Sequence, residues 1–181
     1  MPSWESYDNK NGRVVLNIDP GAAFGTGTHA TTSLCLSLLE SHIKNGTKML
    51  DIGTGSGILA IASSLLGAET AIGVDIDAQS VKTAKENAEI NNVQNKCEFI
   101  VGDLADKISG KYDVICANIV ADVIIKLFDN VKDFMTDDGV LIISGIIDIR
   151  KDDVLNSAAA HGFKIAEENY KDNWCAFTLT K

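Results

Sequence analysis

The sequence predicts a single α/β domain, with a mainly parallel, seven-stranded sheet covered by helices on both faces and finished by an antiparallel hairpin. Three observations carry that expectation. From Lys48 onward, short β-rich apolar runs alternate with longer helical patterns, as repeated βαβ units require. The last two strand-like runs, residues 163–170 and Trp174–Thr180, are separated by three residues, too few for a helical crossover, so they pair antiparallel. The chain has 181 residues, 45% of them hydrophobic, and only two prolines. A chain of that length buries roughly 70% of its unfolded surface in one core. It is too apolar for disorder and lacks a run long enough to span a bilayer.

Residues 13–18 read as a strand, followed by a Gly/Thr-rich loop over 20–29 and a helix over 31–43. The parallel strands are expected at 48–51, Thr70–Asp75, Cys97–Val101, 112–117 and 139–144. Between them, Ile58–Leu66 is apolar nearly all round and stops at Gly67, a favoured residue for the left-handed position after a helix end. Asp77 is placed to cap a helix over 78–91, in which Val81, Ala84, Ala88 and Ile90 follow one face. Further helices fit 121–135, closed by the turn signal Asp137-Asp138-Gly139, and 150–160.

Charge and cysteine usage exclude several function classes. Sixteen Lys and Arg against 25 Asp and Glu leave a net charge of −9, which argues against direct nucleic-acid binding, since that rests on cationic side chains displacing counterions from phosphates. Cys35, Cys97, Cys116 and Cys175 show no C-x-x-C pair, and the three histidines are scattered, so no metal site is expected. The start, Met1-Pro2-Ser3-Trp4-Glu5, lacks the basic and then apolar pattern of a signal peptide, which predicts a cytoplasmic protein with no membrane partner.

The strongest local signal is Met49-Leu50-Asp51-Ile52-Gly53-Thr54-Gly55-Ser56-Gly57-Ile58, a strand entering a glycine turn and then a helix. Such glycines permit positive φ and let a ligand lie against the main chain. The dinucleotide fingerprint needs a third glycine where Ile58 stands. Asp51 adds a carboxylate where a pyrophosphate would be repelled. S-adenosyl-L-methionine has no phosphate and carries an ammonium, a sulfonium and one carboxylate, so Asp51, Gly53, Gly55 and Gly57 suit it. Asp75, at the next strand end, is placed to accept from both ribose hydroxyls. Asp103 and Leu104, after the third strand, are placed at the adenine, by a bond to its amino group and by apolar contact; a plain turn residue is the alternative for Asp103. Asn118 ends the fourth strand at the same crevice, where its side-chain carbonyl can position an amine; a plain helix-capping role is its alternative.

The loop Pro20-Gly21-Ala22-Ala23-Phe24-Gly25-Thr26-Gly27-Thr28-His29 has no Lys, so it is not a P-loop, and ATP binding is not expected. It can close over a cofactor, with Thr32 near the amino-acid end and Phe24 excluding water. His29 reads as a loop histidine without chemistry.

Residues 20–32, the motif from Asp51 to Gly57, Gly73-Val74-Asp75-Ile76-Asp77 and Ala117-Asn118-Ile119-Val120-Ala121 together resemble the catalytic domain of the PrmA-type ribosomal-protein methyltransferases. The resemblance covers nearly the whole chain, and Pro20 to His29 is its most specific part. It implies a Rossmann-like class I S-adenosylmethionine-dependent methyltransferase fold. It also implies methylation of amino groups on large-subunit ribosomal protein eleven, with cofactor contacts at Thr32, Gly53, Asp75 and Asn118. The product would be S-adenosyl-L-homocysteine, and the partner a basic ribosomal protein, complementary to the acidic chain. Residues 1–29 then form a junction strand and cofactor loop, and 30–181 the catalytic domain. The resemblance also implies that the family's separate amino-terminal recognition domain would lie ahead of this stretch, which reads as an excised domain or a shortened protein. The oligomeric state is open, with a monomer favoured.

The expected reaction is in-line transfer of a methyl group from sulfonium to a neutral lysine ε-amine or α-amine. Asn118 positions the amine and no side chain stands out as general base. The rivals are a methyltransferase for another protein or a small amine, and a non-catalytic S-adenosylmethionine-binding module. The absence of Asn-Pro-Pro-Tyr at Asn118 weighs against amide- and base-directed enzymes.

Overall fold

The computed structural model describes residues 14–19, 29–103 and 107–181. The junction at Pro2 to Glu5, the loop from Pro20 to Thr28 with Phe24, and Leu104 lie outside the described residues. Seven strands alternate with five helices: α1 (Ala30–His42), β1 (Lys48–Ile52), α2 (Ile58–Leu66), β2 (Thr70–Asp75), α3 (Ala78–Ile90), β3 (Cys97–Val101), β4 (Tyr112–Asn118), α4 (Ala121–Leu127), β5 (Met135–Ile147), α5 (Lys151–Ala160), β6 (Lys164–Lys171) and β7 (Trp174–Thr180). They form one sheet in the order β3-β2-β1-β4-β5-β7-β6. Every pairing from β3 to β5 is parallel, and β7 lies antiparallel between β5 and β6.

Alternation along the inner strands builds two cores. Met49, Val114, Cys116, Ile142 and Ala176 face the layer of α1, α2 and α3, where Leu34, Leu38, Leu39, Ile61 and Ala84 pack. Their neighbours Leu50, Ile115, Ala117, Ile143 and Phe177 face α4 and α5, with Ile124, Leu127, Val154 and Ala158. A strand buried on both faces must be apolar at successive positions, which is why these runs lack the polar alternation of a half-exposed strand. All four cysteines are buried free thiols within these layers. No helix among the described residues is long and apolar enough to cross a membrane, and no metal-binding cluster occurs among them.

Three elements differ from the sequence reading. Residues 14–18 take no regular structure. Instead, two asparagines one turn apart on α3 grip the backbone there. Asn91 Oδ1 accepts from Asn17 N–H at 2.9 Å, and its Nδ2 donates to Asn17 O at 2.6 Å. Asn87 Oδ1 accepts from Asp19 N–H at 2.9 Å.

The helix expected over 121–135 ends at Leu127, passes through a turn and a 3-10 segment, Val131–Phe134, and Met135 already opens β5. Phe128, Val131 and Met135 are all buried and keep a helix-like spacing although the backbone has changed. Asp137-Asp138-Gly139 does not close that helix. It lies within β5, where Tyr112 pairs with Met135 and Val114 with Val140, so the intervening residues bulge from the ladder.

Candidate functional site

The carboxyl ends of the parallel strands open onto a cavity of about 700 Å³, within the usual size of a small-molecule site. Thr32, Gly53, Gly55, Asp75, Asp103 and Asn118 all line it, as do His29, Ile76, Ile119, Val120, Gly145 and Trp174. Asp51 and Gly57 do not.

The glycine turn is bonded to both neighbouring elements. Gly53 and Thr54 N–H both donate to Val74 O, at 2.8 and 3.0 Å, and draw the chain toward β2. Gly55 N–H then donates to Asp75 Oδ2 at 2.9 Å, while Asp75 Oδ1 accepts from Asp77 N–H at 3.0 Å. Asp75 thus shapes the turn as well as facing the cavity, and each of its oxygens keeps a lone pair for a ligand hydroxyl. Gly53 has φ +74°, and a Cβ there would come within 2.3 Å of Ile119 Cγ2, so the cradle admits backbone only.

Gly57 serves packing. A Cβ on it would lie 2.9 Å from Ala84 Cβ and 3.1 Å from Phe99, so its missing side chain lets α2 close on α3 and β3.

Asp51 lies beneath the turn, fully buried, and accepts the Thr54 hydroxyl at 2.6 Å. Burial pushes its pKa up to about 7, while Thr54 and the Ala60 amide in the first turn of α2 hold it down and the Asp75 charge raises it further. The sequence reading placed Asp51 at the ligand. The structure places it behind the lining, where it supports the turn and the start of α2.

Thr32 sits in the first turns of α1, buried, and its Oγ1 has no hydrogen-bond partner among the described residues. A buried hydroxyl on a cavity wall without a partner is costly, so this position suits a polar ligand group. Asn118 ends β4 beside Ser144, half-buried at the cavity. Its side-chain amide is not committed to any described group, and Val120, not Asn118, occupies the N-cap of α4. Asp103 is exposed at the mouth, past Gly102, whose N–H donates to Asp75 O at 3.0 Å. His29 caps α1: its Nδ1 accepts from Thr31 N–H at 3.3 Å, and its ring meets the Trp174 indole at 5.0 Å and 67°.

Sequence reasoning missed Trp174, Gly145 and Ile119. Gly145 has φ +83° and occupies a bulge, since Ile143 pairs with Phe177 and Ile146 with Cys175. A Cβ on it would fall 2.3 Å from Ile119 O. The signal for Gly145 was available, an isolated glycine inside an apolar strand. Trp174 gave a weaker one, because the first residue of an antiparallel strand reaches the carboxyl ends of its neighbours only once the strand order is known.

The fold and the cavity define a Rossmann-like class I methyltransferase, the class whose members use S-adenosylmethionine. The family model described as "Ribosomal protein L11 methyltransferase (PrmA)" matches residues 1–181, and the chain belongs to that family. Among curated relatives, ribosomal protein L11 methyltransferases of Dictyoglomus turgidum and Caldicellulosiruptor saccharolyticus are 46% and 47% identical over 96% and 100% of this chain. The chain spans 58% and 59% of those relatives' lengths. The crystal structure of ribosomal protein L11 methylase from Lactobacillus delbrueckii subsp. bulgaricus superposes with a TM-score of 0.94 at 31% identity, over 100% of this chain and 93% of that one. The B. subtilis tRNA methyltransferase TrmK shares only the fold, with a TM-score of 0.68 at 20% identity over 80% of this chain and 64% of that one.

Proposed function

We propose that this chain is the catalytic unit of an S-adenosylmethionine-dependent protein N-methyltransferase acting on lysine ε-amino and α-amino groups of a large-subunit ribosomal protein. Within it, residues 30–181 form the catalytic domain and 1–29 a junction and cofactor loop. The observation that carries the reading is the pairing, on one cavity, of the buried Thr32 hydroxyl, unpartnered among the described residues, with a glycine cradle flanked by Asp75. Thr32 and the turn at Gly53 and Gly55 hold the amino-acid end, Asp75 takes the ribose hydroxyls, and Asp103 with the exposed Ile76 bounds the base. When bound, the cofactor supplies an activated methyl group on sulfur.

The protein's own contribution is alignment. Asn118 offers its side-chain carbonyl to the amine's N–H groups, which turns the nitrogen lone pair along the reaction axis; such positioning is worth roughly 7–11 kcal/mol. Ile119 and the exposed Val120 make the approach apolar and favour the neutral amine over the ammonium. The amine gives its proton to water, so the rate rises with pH toward the lysine pKa, roughly 10.4 unperturbed. We read the protein as a cytoplasmic monomer whose acidity favours a basic protein partner.

The test is labelled-methyl transfer to ribosomal protein eleven, with and without a supplied amino-terminal domain, beside calorimetric binding of S-adenosylmethionine. Transfer in either arm supports the reading. Binding without transfer in both arms makes the chain a binding module, and transfer only to unrelated proteins or small amines replaces the substrate.

A further inference from the structure

Trp174 is the wall of the cavity that the proposed reaction leaves without a task. Its place follows from the sheet. Along the strand ends run, in order, Asp103 after β3, Asp75 on β2, the glycine turn after β1, Asn118 on β4, Gly145 in β5 and Trp174 opening β7. The carboxylates that suit a nucleoside lie on one side of the glycine turn. Asn118 and Trp174 lie on the other.

Neighbouring strands are about 4.8 Å apart, so β7 stands about 10 Å from β4, with Asn118 level with Ser144 of β5 and Trp174 level with Ile147. Between them lies Gly145, whose missing side chain lets its backbone close against Ile119, and Asn118, Gly145 and Trp174 all line the one cavity. The indole is also held in place. It meets the His29 ring at 5.0 Å and packs on the core beneath α1. The hairpin tip that carries it is tied down at both ends, with Lys171 Nζ donating to Ser33 Oγ at 3.1 Å and Asp148 N–H to Asn173 O at 3.0 Å.

Resting on the methyltransferase reading above, we infer that Trp174 recognises the methylated ammonium and thereby sets how many methyl groups one amine receives before it leaves. In each transfer the amine lone pair takes the methyl group as its bond to sulfur breaks. The sulfur keeps that electron pair, and the new ammonium gives a proton to water before the next round. Every methyl added removes one N–H that Asn118 could accept, so the grip of Asn118 weakens as the reaction proceeds. An aromatic wall gains in the opposite sense, because a methylated cation is more weakly hydrated and is attracted to a π-system. Recognition passes from Asn118 to Trp174, and a partly methylated amine stays in place for further transfer.

The experiment is equilibrium binding, independent of turnover. The full chain with Trp4→Phe, saturated with S-adenosyl-L-homocysteine, is titrated with lysine amide and with Nε-trimethyllysine amide while the Trp174 indole N–H is followed by NMR. The expected result is an indole shift with about tenfold tighter binding of the trimethylated ligand. Trp174→Phe keeps that preference and Trp174→Leu loses it, with affinity for S-adenosyl-L-homocysteine changed less than about threefold. Equal binding of the two ligands, an unmoved indole, or a preference that survives Trp174→Leu overturns the proposal. If Trp174→Leu does not fold, the indole shift and the Phe variant decide. Failure of the parent protein to bind S-adenosyl-L-homocysteine sinks the cofactor reading instead, so the two failures are distinguishable.

Discussion

Replacing Asp51 with Asn removes a charge from beneath the glycine turn and leaves its shape. The Asp51 carboxyl is fully buried, and its pKa is raised from 3.8 to about 7, chiefly by desolvation. A carboxyl raised in the folded state binds its proton more tightly there than in the unfolded chain. Its contribution is therefore most favourable below the unfolded value and is lost as pH rises through the folded one. Three units at about 1.36 kcal/mol each put the full cost of ionising Asp51 in place at roughly 4 kcal/mol. Between about pH 5 and about pH 8, roughly 2–3 kcal/mol of that is developed.

The assay is urea unfolding of the parent and Asp51→Asn at intervals across that range. Other carboxylates titrate in both proteins and cancel in the difference. Asp75 is the charge coupled to this site and is retained in both, and the buried Cys97 and Cys116 thiols, the first pushed up by burial and the second by the Cys35 thiol and burial, stay neutral throughout. The parent should lose stability relative to Asp51→Asn by that amount as pH rises, then level off above about pH 8. A difference constant to within about 0.5 kcal/mol across the range refutes the assignment of a desolvated carboxyl to this position.

Asp75→Ala removes the acceptor for Gly55 and Asp77 N–H as well as that proposed for the ribose, so calorimetry should show cofactor affinity falling about 10- to 100-fold; unchanged affinity sinks the assignment. Asn118→Ala should lower the methyl-transfer rate about 100-fold, beyond whatever cofactor affinity it loses as a cofactor contact, a difference read by single-turnover kinetics at saturating cofactor beside calorimetry. Asn87→Ala breaks bonds to Asp19 N–H, Asp19 O and Ser56 O from a residue only 1% exposed, and urea unfolding should register about 2–3 kcal/mol of lost stability. Gly145→Ala drives a methyl group to within 2.3 Å of Ile119 O; it should cost about 2–3 kcal/mol and slow methyl transfer by displacing the segment next to Asn118.

The parallel half of the fold was legible because its strands are buried on both faces and its helices carry local punctuation. Asp77 accepts from Gln79 and Ser80 N–H, and Gly67 ends α2 at φ +117°. Thr70–Asp75, Cys97–Val101 and Trp174–Thr180 fall where the apolar runs place them. The segment after α4 misled because apolar spacing survives a change of backbone: Val131 and Met135 are buried whether a helix or a strand carries them.

In the cavity, the residues on parallel strand ends and their loops were readable from local sequence, since a parallel strand always delivers its last residue to the same edge. Trp174 was not, because its position depends on which strands β7 lies between. Residues 14–18, read as a strand, were misread for a related reason, as the bonds of this segment through Asp19 show. Their partners are side chains of α3, 68 and 74 residues away, and local pattern carries no trace of such a pairing.

β7 is the last of the sheet's seven described strands in chain order and yet lies inside the sheet, between β5 and β6. While the chain is being synthesised, the parallel strands β1 to β5 and their helices can gather first, but β5 keeps a bare edge and the strand-end cavity lacks one side. Only when Trp174–Thr180 has emerged can that edge be sealed and the indole set opposite Asn118. Closing the sheet and completing the Trp174 side of the cavity are thus one event in the life of the nascent chain. A polypeptide stopped before Trp174 would carry the whole glycine cradle and an adhesive open strand together, and it should be removed by aggregation or proteolysis before it could hold its ligand to any purpose.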